Sequence, residues 1–206
     1  INIKVSIENS NLSICTQAAE KIYSGIGDPA NIDINLNLNN SNLFWLPKEL
    51  ILFDNSKLNR KININLSGNC NLVFCENSIF GRTAMSEKIK NINFSDNWKV
   101  FINSSLKHFE AINLIGSIND NYKNNFTFAN NSSLSTILIF GKIIYQLEPE
   151  LRKIIKNIDN HYCEMTTFDD KIIIRSLAKD NYDLKKTVNI IMKNIINDKL
   201  PKSWNL

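Results

Sequence analysis

The chain has 206 residues, 43% of them hydrophobic, which is enough for one domain of ordinary size with a continuous core. Gly and Pro number only 6 and 4, which excludes a linker-rich or disordered chain. The net charge of +4 comes from scattered Lys and Arg, and without a basic run we expect no nucleic-acid partner.

Three further features of the sequence bear on the cellular compartment and on the extent of the chain. No apolar run reaches the length of a membrane span, so we expect no membrane-spanning segment. The 4 Cys form no C-x-x-C pair, which favours a reducing compartment. The first residue is Ile1 rather than Met, from which we expect a piece of a longer protein.

Asparagine is unusually frequent, with 34 residues, 27 of them at or before Asn131. Asn is poor in helix interiors but tolerates turns and left-handed backbone. A genome rich in A and T accounts for much of the abundance but not for the placement among Ile and Leu. The placement therefore predicts many tight turns between short strands.

A repeat of about twenty residues is visible in the first two thirds of the chain. Residues 63–68, 91–96 and 111–116 resemble one another, and a step of twenty brings apolar residues into columns. One such column contains Leu12, Ile32, Leu52, Leu72, Ile92 and Ile112. Stacked coils would bury each column as an inward ladder. We therefore predict a mainly β fold, a right-handed pentapeptide-type β-helix with about twenty residues per coil, over residues 1–145.

A leucine-rich repeat is the alternative solenoid. Residues 36–47 are similar to one such unit, but they carry an extra residue and do not recur downstream. The pentapeptide β-helix is favoured, and the leucine-rich repeat stays open.

Residues 146–206 are predicted to form a small α-helical segment that caps or links the solenoid. Pro149 suits a first helical turn, followed by an apolar face that includes Leu151 and Ile158. A second helix is expected through Ile173, Ile174 and Leu177, capped by Thr167 or Asp169. A third, capped by Asp183, would bury Leu184, Val188, Ile191 and Ile195.

No set of residues predicts catalysis, a cofactor, a metal or a small-molecule ligand. His161 and Cys163 are close in sequence, but catalytic Cys–His pairs usually meet only in the fold. Cys70 and Cys75 suit small inward positions and lack partners for a zinc site. Among the three Trp, Trp98 falls in an inward column, so Trp45 is the predicted partner-binding residue.

Taken together, Asn-Leu-Ser-Gly at residues 65–68, Asn-Phe-Ser-Asp at 93–96 and the helical segment at 154–162 resemble SopA-type and NleL-type effectors of bacterial type III secretion. In that family a β-helix and helices precede a HECT-like ubiquitin ligase region. The resemblance implies a non-catalytic recognition domain, secreted into the host cell cytoplasm, that binds host proteins. A larger parent protein would then be an E3 ubiquitin ligase, and the chain itself would not be an enzyme.

Two further functions remain open at this stage. A DNA-mimic pentapeptide protein needs a strongly acidic face, which the net charge of +4 opposes. A thiol-dependent enzyme would use Cys163 or another of the cysteines.

Overall fold

The computed structural model describes residues 1–81, 87, 89–118, 123–124, 127–160, 162–168, 170–196 and 200–205. Within these residues the chain forms two mixed β-sheets and two α-helices, an α/β sandwich-like fold. The strands are β1 (Asn2–Glu8), β2 (Asn11–Cys15), β3 (Glu20–Ile22), β4 (Ala30–Asn39), β5 (Asn42–Leu46), β6 (Leu50–Leu52), β7 (Lys57–Ser67), β8 (Asn71–Phe80), β9 (Asn91–Ile102), β10 (Ser105–Ser117), β11 (Ser133–Phe140), β12 (Cys163–Phe168) and β13 (Lys171–Ala178). The helices are α1 (Ile144–Asn157) and α2 (Asn181–Ile195), followed by a short 3₁₀ helix (Lys202–Asn205).

The five-stranded sheet, called sheet A, has the order β1-β4-β7-β9-β10. Its first four strands are parallel, and β10 returns antiparallel to β9. One register line shows the pairing, with Val5 opposite Leu36, Leu36 opposite Ile64 and Ile64 opposite Val100. Strands β4, β7 and β9 alternate between inward, mostly apolar residues and outward, mostly polar residues, as a sheet with one solvated face requires.

The second sheet, called sheet B, has the order β12-β13-β11-β8-β5-β2, and the short strands β3 and β6 continue it beside β8. Strands β2, β5 and β8 are parallel, whereas β11, β13 and β12 are antiparallel to their neighbours. In its first half the chain thus passes alternately through sheet A and sheet B. Two parallel neighbours in one sheet are therefore separated in sequence by strands of the other sheet.

The predicted pentapeptide β-helix is wrong, and so is its period of twenty residues. Parallel neighbours are offset by 28 residues where Ala30 faces Leu58 and by 36 where Lys57 faces Asn93. The strands alternate with period 2, so any even shift superimposes inward positions on inward positions. A step of twenty therefore aligned apolar residues that do not lie opposite one another, some of them in different sheets. Leu12, for example, lies opposite Leu43 and not Ile32.

The core consists of two apolar layers on either side of sheet B. Leu72 and Phe74 of β8 point into the layer shared with sheet A. Val73 and Cys75 of the same strand point into the layer shared with α1 and α2. Strand β8 is buried on both faces for this reason, which explains its nearly continuous run of buried residues.

Asparagine occupies two kinds of position. At the ends of strands it takes left-handed backbone angles, as the composition predicted; these residues are Asn9, Asn40, Asn55, Asn103 and Asn130. It also forms amide ladders between parallel strands, which the composition did not predict. In one ladder the Nδ2 of Asn42 donates to Asn11 Oδ1 at 2.6 Å, and the Nδ2 of Asn71 donates to Asn42 Oδ1 at 2.8 Å.

The C-terminal third is not the all-helical segment that was predicted. The first and third helices are confirmed as α1 and α2, although Pro149 lies inside α1 rather than in its first turn. The expected second helix is instead the hairpin β12–β13, because the β-branched residues around Ile173 fill both faces of a strand. The N-cap of α2 is Asp180, whose carboxylate accepts from the Asp183 amide at 3.0 Å. Asp169, one of the two residues predicted to cap the second helix, lies outside the described residues.

Neither described helix is long and apolar enough to cross a membrane. The predicted division between residues 1–145 and 146–206 stays a prediction. Strands β12 and β13 nevertheless extend sheet B, because β13 pairs with β11 along all 8 residues of β11.

Candidate functional site

A cluster of charged groups is buried between the two sheets. Arg60 of β7, Glu76 of β8 and Asp96 of β9 are each at most 3% exposed. Arg60 lies directly opposite Asp96 in the parallel register of sheet A, and Glu76 reaches them from sheet B. Arg60 and Asp96 occupy inward positions of alternating strands, and Glu76 shares the face of β8 that carries Phe74 toward sheet A.

The guanidinium of Arg60 uses three nitrogens on the two carboxylates. Nε and Nη2 donate to Asp96 at 2.9 and 2.6 Å, and Nη1 donates to Glu76 at 2.7 Å. Two indoles also donate to these carboxylates, one to the Glu76 oxygen that Arg60 leaves free and one to an Asp96 oxygen that Arg60 already contacts. Trp45 Nε1 donates to Glu76 Oε1 at 2.8 Å, and Trp98 Nε1 donates to Asp96 Oδ1 at 2.7 Å.

Burial is the largest single influence on the pKa of Glu76 and on that of Arg60. It raises the pKa of Glu76, although Arg60 and the indole of Trp45 oppose that rise. Burial also disfavours the charged form of Arg60, but attraction to Glu76 and Asp96 outweighs it and raises the pKa of the guanidinium. Every carboxylate oxygen has a donor, so the cluster is arranged to hold two sheets together rather than to bind a substrate.

Trp45, the predicted partner-binding residue, is only 3% exposed. Its ring stacks on Phe74 with centroids 6.3 Å apart, and its indole is committed to Glu76. A role in partner binding stays a prediction, and in this fold Trp45 would act by shaping β5. Trp98 is buried as predicted, and Trp204 is also buried, donating to the Leu46 carbonyl at 2.9 Å.

The cysteines are free thiols, and three of the four are buried. Burial raises the pKa of Cys75 and of Cys163, which keeps both thiols protonated. Cys163 accepts a hydrogen bond from Ser176 Oγ at 3.1 Å. His161, its neighbour in sequence, lies outside the described residues. Protonated, enclosed thiols are poor nucleophiles, which argues against thiol catalysis.

A second feature lies on the surface, where β10 crosses above β13. Lys171 Nζ donates to the Lys107 carbonyl at 2.6 Å, and Arg175 Nη2 donates to Glu110 Oε2 at 2.6 Å. His108 is buried beside them, with Nε2 at 3.4 Å from Glu110 Oε2. These contacts fix the edge of sheet A over sheet B and border an open depression.

Sequence reasoning missed the buried cluster. Asp96 entered only as the last residue of the Asn-Phe-Ser-Asp motif at residues 93–96, and neither Arg60 nor Glu76 was singled out. A signal was present, because a charged residue at an inward position, as in Phe94-x-Asp96-x-Trp98, requires a buried partner. Among the described residues no group of three or more His, Cys, Asp or Glu is arranged to hold a metal ion.

Comparison with known proteins gives a consistent match. A model of the UreD urease accessory protein family matches residues 1–203. The urease accessory protein UreD of Rhodopseudomonas palustris (strain BisB5) is 31% identical over 200 residues, covering 96% of this chain and 69% of the relative. UreD of Agrobacterium fabrum (strain C58) is 28% identical over 199 residues, with the same two shares.

A shorter match is closer in sequence. UreD of Rhodopseudomonas palustris (strain HaA2) is 41% identical over 112 residues, which is 54% of this chain and 40% of the relative. The chain thus spans between 40% and 69% of the length of these relatives.

These matches contradict the resemblance to SopA-type and NleL-type effectors. The expectations that depended on it are wrong with it, namely the effector recognition domain, the host-protein partners, secretion into the host cell and the parent ubiquitin ligase. Of the motifs behind it, residues 65–68 span the end of β7, residues 93–96 lie within β9, and residues 154–157 end α1. The alternatives of a leucine-rich-repeat effector, a DNA mimic and a thiol enzyme are likewise overturned.

Proposed function

The chain belongs to the UreD urease accessory protein family, and we propose that it assists the formation of active urease by binding other proteins. The observation that carries the proposal is the family match over residues 1–203, nearly the whole chain. The relatives are named as accessory proteins, so the role is not itself catalytic.

The geometry supports a binding role. The buried charges satisfy one another inside the sandwich, and burial raises the pKa of Cys75 and of Cys163, which keeps these two thiols protonated. The surface, in contrast, offers large apolar side chains beside the edge of sheet A, where Leu106 is 51% and Phe109 is 53% exposed. Exposed apolar side chains next to an open sheet edge are typical of protein-binding surfaces.

A complementation experiment tests the proposal. The urease genes of the source organism are expressed in a bacterium that lacks urease, with or without the complete gene that contains this chain. We expect ammonia release from urea, normalised to the amount of urease protein, to depend on that gene. Immunoblots confirm that the urease subunits are equally abundant in both strains and that the chain is present only in the strain that carries its gene.

A matched surface variant serves as the control. Tyr182→Glu changes an exposed aromatic residue at the start of α2, and it should support urease activity as well as the unchanged chain does. Equal urease activity with and without the gene, at equal urease abundance, would refute the accessory role.

A further inference from the structure

We propose that the free edge of β10 is the docking site for an extended, apolar and acidic segment of a partner protein, which pairs with β10 and completes sheet A. This inference rests on the proposed accessory function and names the surface and the kind of segment that it needs. Three features of the molecule support it: the two sheets differ in width, side chains beside β10 are uncovered, and β10 is a long edge strand.

The two sheets do not end together. Strand β10 is the last strand of sheet A, and it lies above β13, to which Lys171 and Arg175 connect it. Sheet B continues one strand further, to β12. No described strand of sheet A lies above β12. Neighbouring strands are about 4.8 Å apart, so one more strand on β10 would lie above β12.

The face of β12 that points toward this space is uncovered. In antiparallel sheets directly opposed residues share a face, and Thr166 lies opposite Ile173 while Phe168 lies opposite Lys171. Because Lys171 reaches β10, Phe168 points to the same side. Phe168 is 45% exposed there, with the Lys171 ammonium 4.1 Å from its ring. The opposite face of β12 is already packed, since Cys163 and Met165 join the helical core layer.

From Phe109 onward the edge of β10 is unprotected. Natural edge strands are usually short or carry Lys or Pro, which discourages pairing with other chains. Strand β10 is 13 residues long, and residues 109–115 include no Lys, Arg or Pro. Their one charged residue, Glu110, is turned inward and held by Arg175. The exposed side chains of β10 include the apolar residues Phe109 and Ile115. An edge of this kind is suited to β-strand addition.

The occupant is a free extended segment rather than a second copy of this chain. The β10 of a second copy would bring its own β13 beneath it, held by the same Lys171 and Arg175 contacts. That β13 would occupy the space of the first copy's β12. A segment with no layer beneath it avoids the collision and can turn its own apolar residues onto Phe168 and Ile173.

The charge around the depression indicates the remaining chemistry. Lys107 is exposed at the start of the edge and makes no ion pair among the described residues, and Lys171 and Arg175 lie beside it. Glu110 is already engaged by Arg175. A carboxylate of the segment near Lys107 would complement this cationic end, which is why the segment is expected to be acidic as well as apolar.

Site-directed cross-linking tests the location. The full chain carrying Phe168→p-benzoylphenylalanine is expressed with the urease genes of the source organism, and the cross-linked peptide is sequenced by mass spectrometry. Tyr182→p-benzoylphenylalanine on α2 is the matched control. We expect an adduct only at position 168, on a segment of urease or of another accessory protein that alternates apolar residues and carries Asp or Glu. No adduct at 168, or an adduct with a second copy, overturns the inference.

Two substitutions test the chemistry. Phe168→Asp and Lys107→Glu should each weaken binding of the cross-linked partner about tenfold or more, whereas Tyr182→Glu should leave binding unchanged. The changed side chains are exposed, so the thermal unfolding midpoint should stay close to that of the unchanged chain. Lys introduced at the acidic residue of the partner segment should restore binding to Lys107→Glu.

The outcomes separate the two proposals. If the unchanged chain fails to support urease activity, the accessory function is refuted. If the unchanged chain supports urease activity but both variants bind and support it equally well, the function stands and the β10 docking site is refuted.

Discussion

Arg60 is the residue on which the interior of the sandwich depends. It is a cation enclosed by two carboxylates, and each partner lies on a different strand. A buried ion network of this kind adds little over an apolar core, but removing one member leaves uncompensated charge. The cluster also favours the observed register, because a slip of one residue in β7 would turn Arg60 away from Asp96.

The first residue-scale prediction concerns this cation. Arg60→Met should destabilise the fold by about 3–5 kcal/mol, because Glu76 and Asp96 lose their counter-charge inside the core. Urea unfolding followed by tryptophan fluorescence measures the change. Glu76→Gln and Asp96→Asn added to Arg60→Met should recover part of the loss.

A matched exposed pair provides the control. Arg152 donates to Glu148 at 2.7 Å, the same distance that separates Arg60 from Glu76, but its side chain is 52% exposed. Arg152→Met should therefore have a much smaller effect. Equal effects of the two substitutions would show that burial of the Arg60 cluster is not what makes it important.

At this scale the sequence identified residue types better than roles. Trp98 was correctly placed inward, because it continued an apolar column. Trp45 was predicted to lie at the surface because it falls in no inward column, yet its strand turns the indole toward Glu76. Partners that lie 16 to 36 residues apart, as those of Arg60 do, are set by strand pairing and not by local spacing.

Among the connections between elements, the turn between β11 and α1 depends on a glycine. Gly141 has a φ of +99°, and a Cβ there would collide with the carbonyl oxygen of Cys70. Asn71 lies in the same place, and its Oδ1 accepts from the Ile143 amide at 3.0 Å. The chain can thus leave sheet B and enter α1 only where this residue has no side chain.

Gly141→Ala should destabilise the protein by about 2 kcal/mol or more, because the left-handed backbone and the close carbonyl both oppose a methyl group. Gly27→Ala is the control, since Gly27 has a similar φ of +102° with nothing within 4 Å of the added carbon. The destabilisation of this variant measures the cost of the left-handed backbone without the collision. Thermal unfolding of both variants compares them, and equal shifts would show that the contact with Cys70 costs nothing.

Among the elements, the helix α2 was the one that sequence predicted best. Its buried face contains the predicted Leu184, Val188, Ile191 and Ile195, because a 3.6-residue period is a local property of the chain. Strand β13 was mistaken for a helix, since its apolar residues fill both faces and leave no clean period. Which face a strand buries depends on what packs there, and that information lies elsewhere in the chain.

At the scale of the whole molecule, sheet B connects the first two thirds of the chain to the last third. Strand β13 pairs with β11, and Trp204 near the C-terminus donates to the Leu46 carbonyl at 2.9 Å. The apolar layer beneath the helices includes residues from Leu46 to Trp204. The helical core layer therefore needs residues from both sides of residue 145.

We therefore expect one cooperative unfolding transition for the whole chain. Residues 1–145 expressed alone should lack a cooperative transition, because one face of β8 and β11 would be exposed. Calorimetry and near-ultraviolet circular dichroism of the chain and of the fragment measure this. A fragment that unfolds cooperatively would instead support the predicted division into two domains.

The sequence by itself determined the abundance of β-strands, the asparagine turns between them and the amphipathic helix at residues 181–195, because each depends on neighbouring residues. The tertiary structure alone decided the offset between parallel strands, the meeting of Arg60 with Glu76 and Asp96, and the uncovered edge of β10. Alternation in a strand repeats every two residues and is compatible with many registers. Burial of specific charges and side chains from distant strands selects one of them.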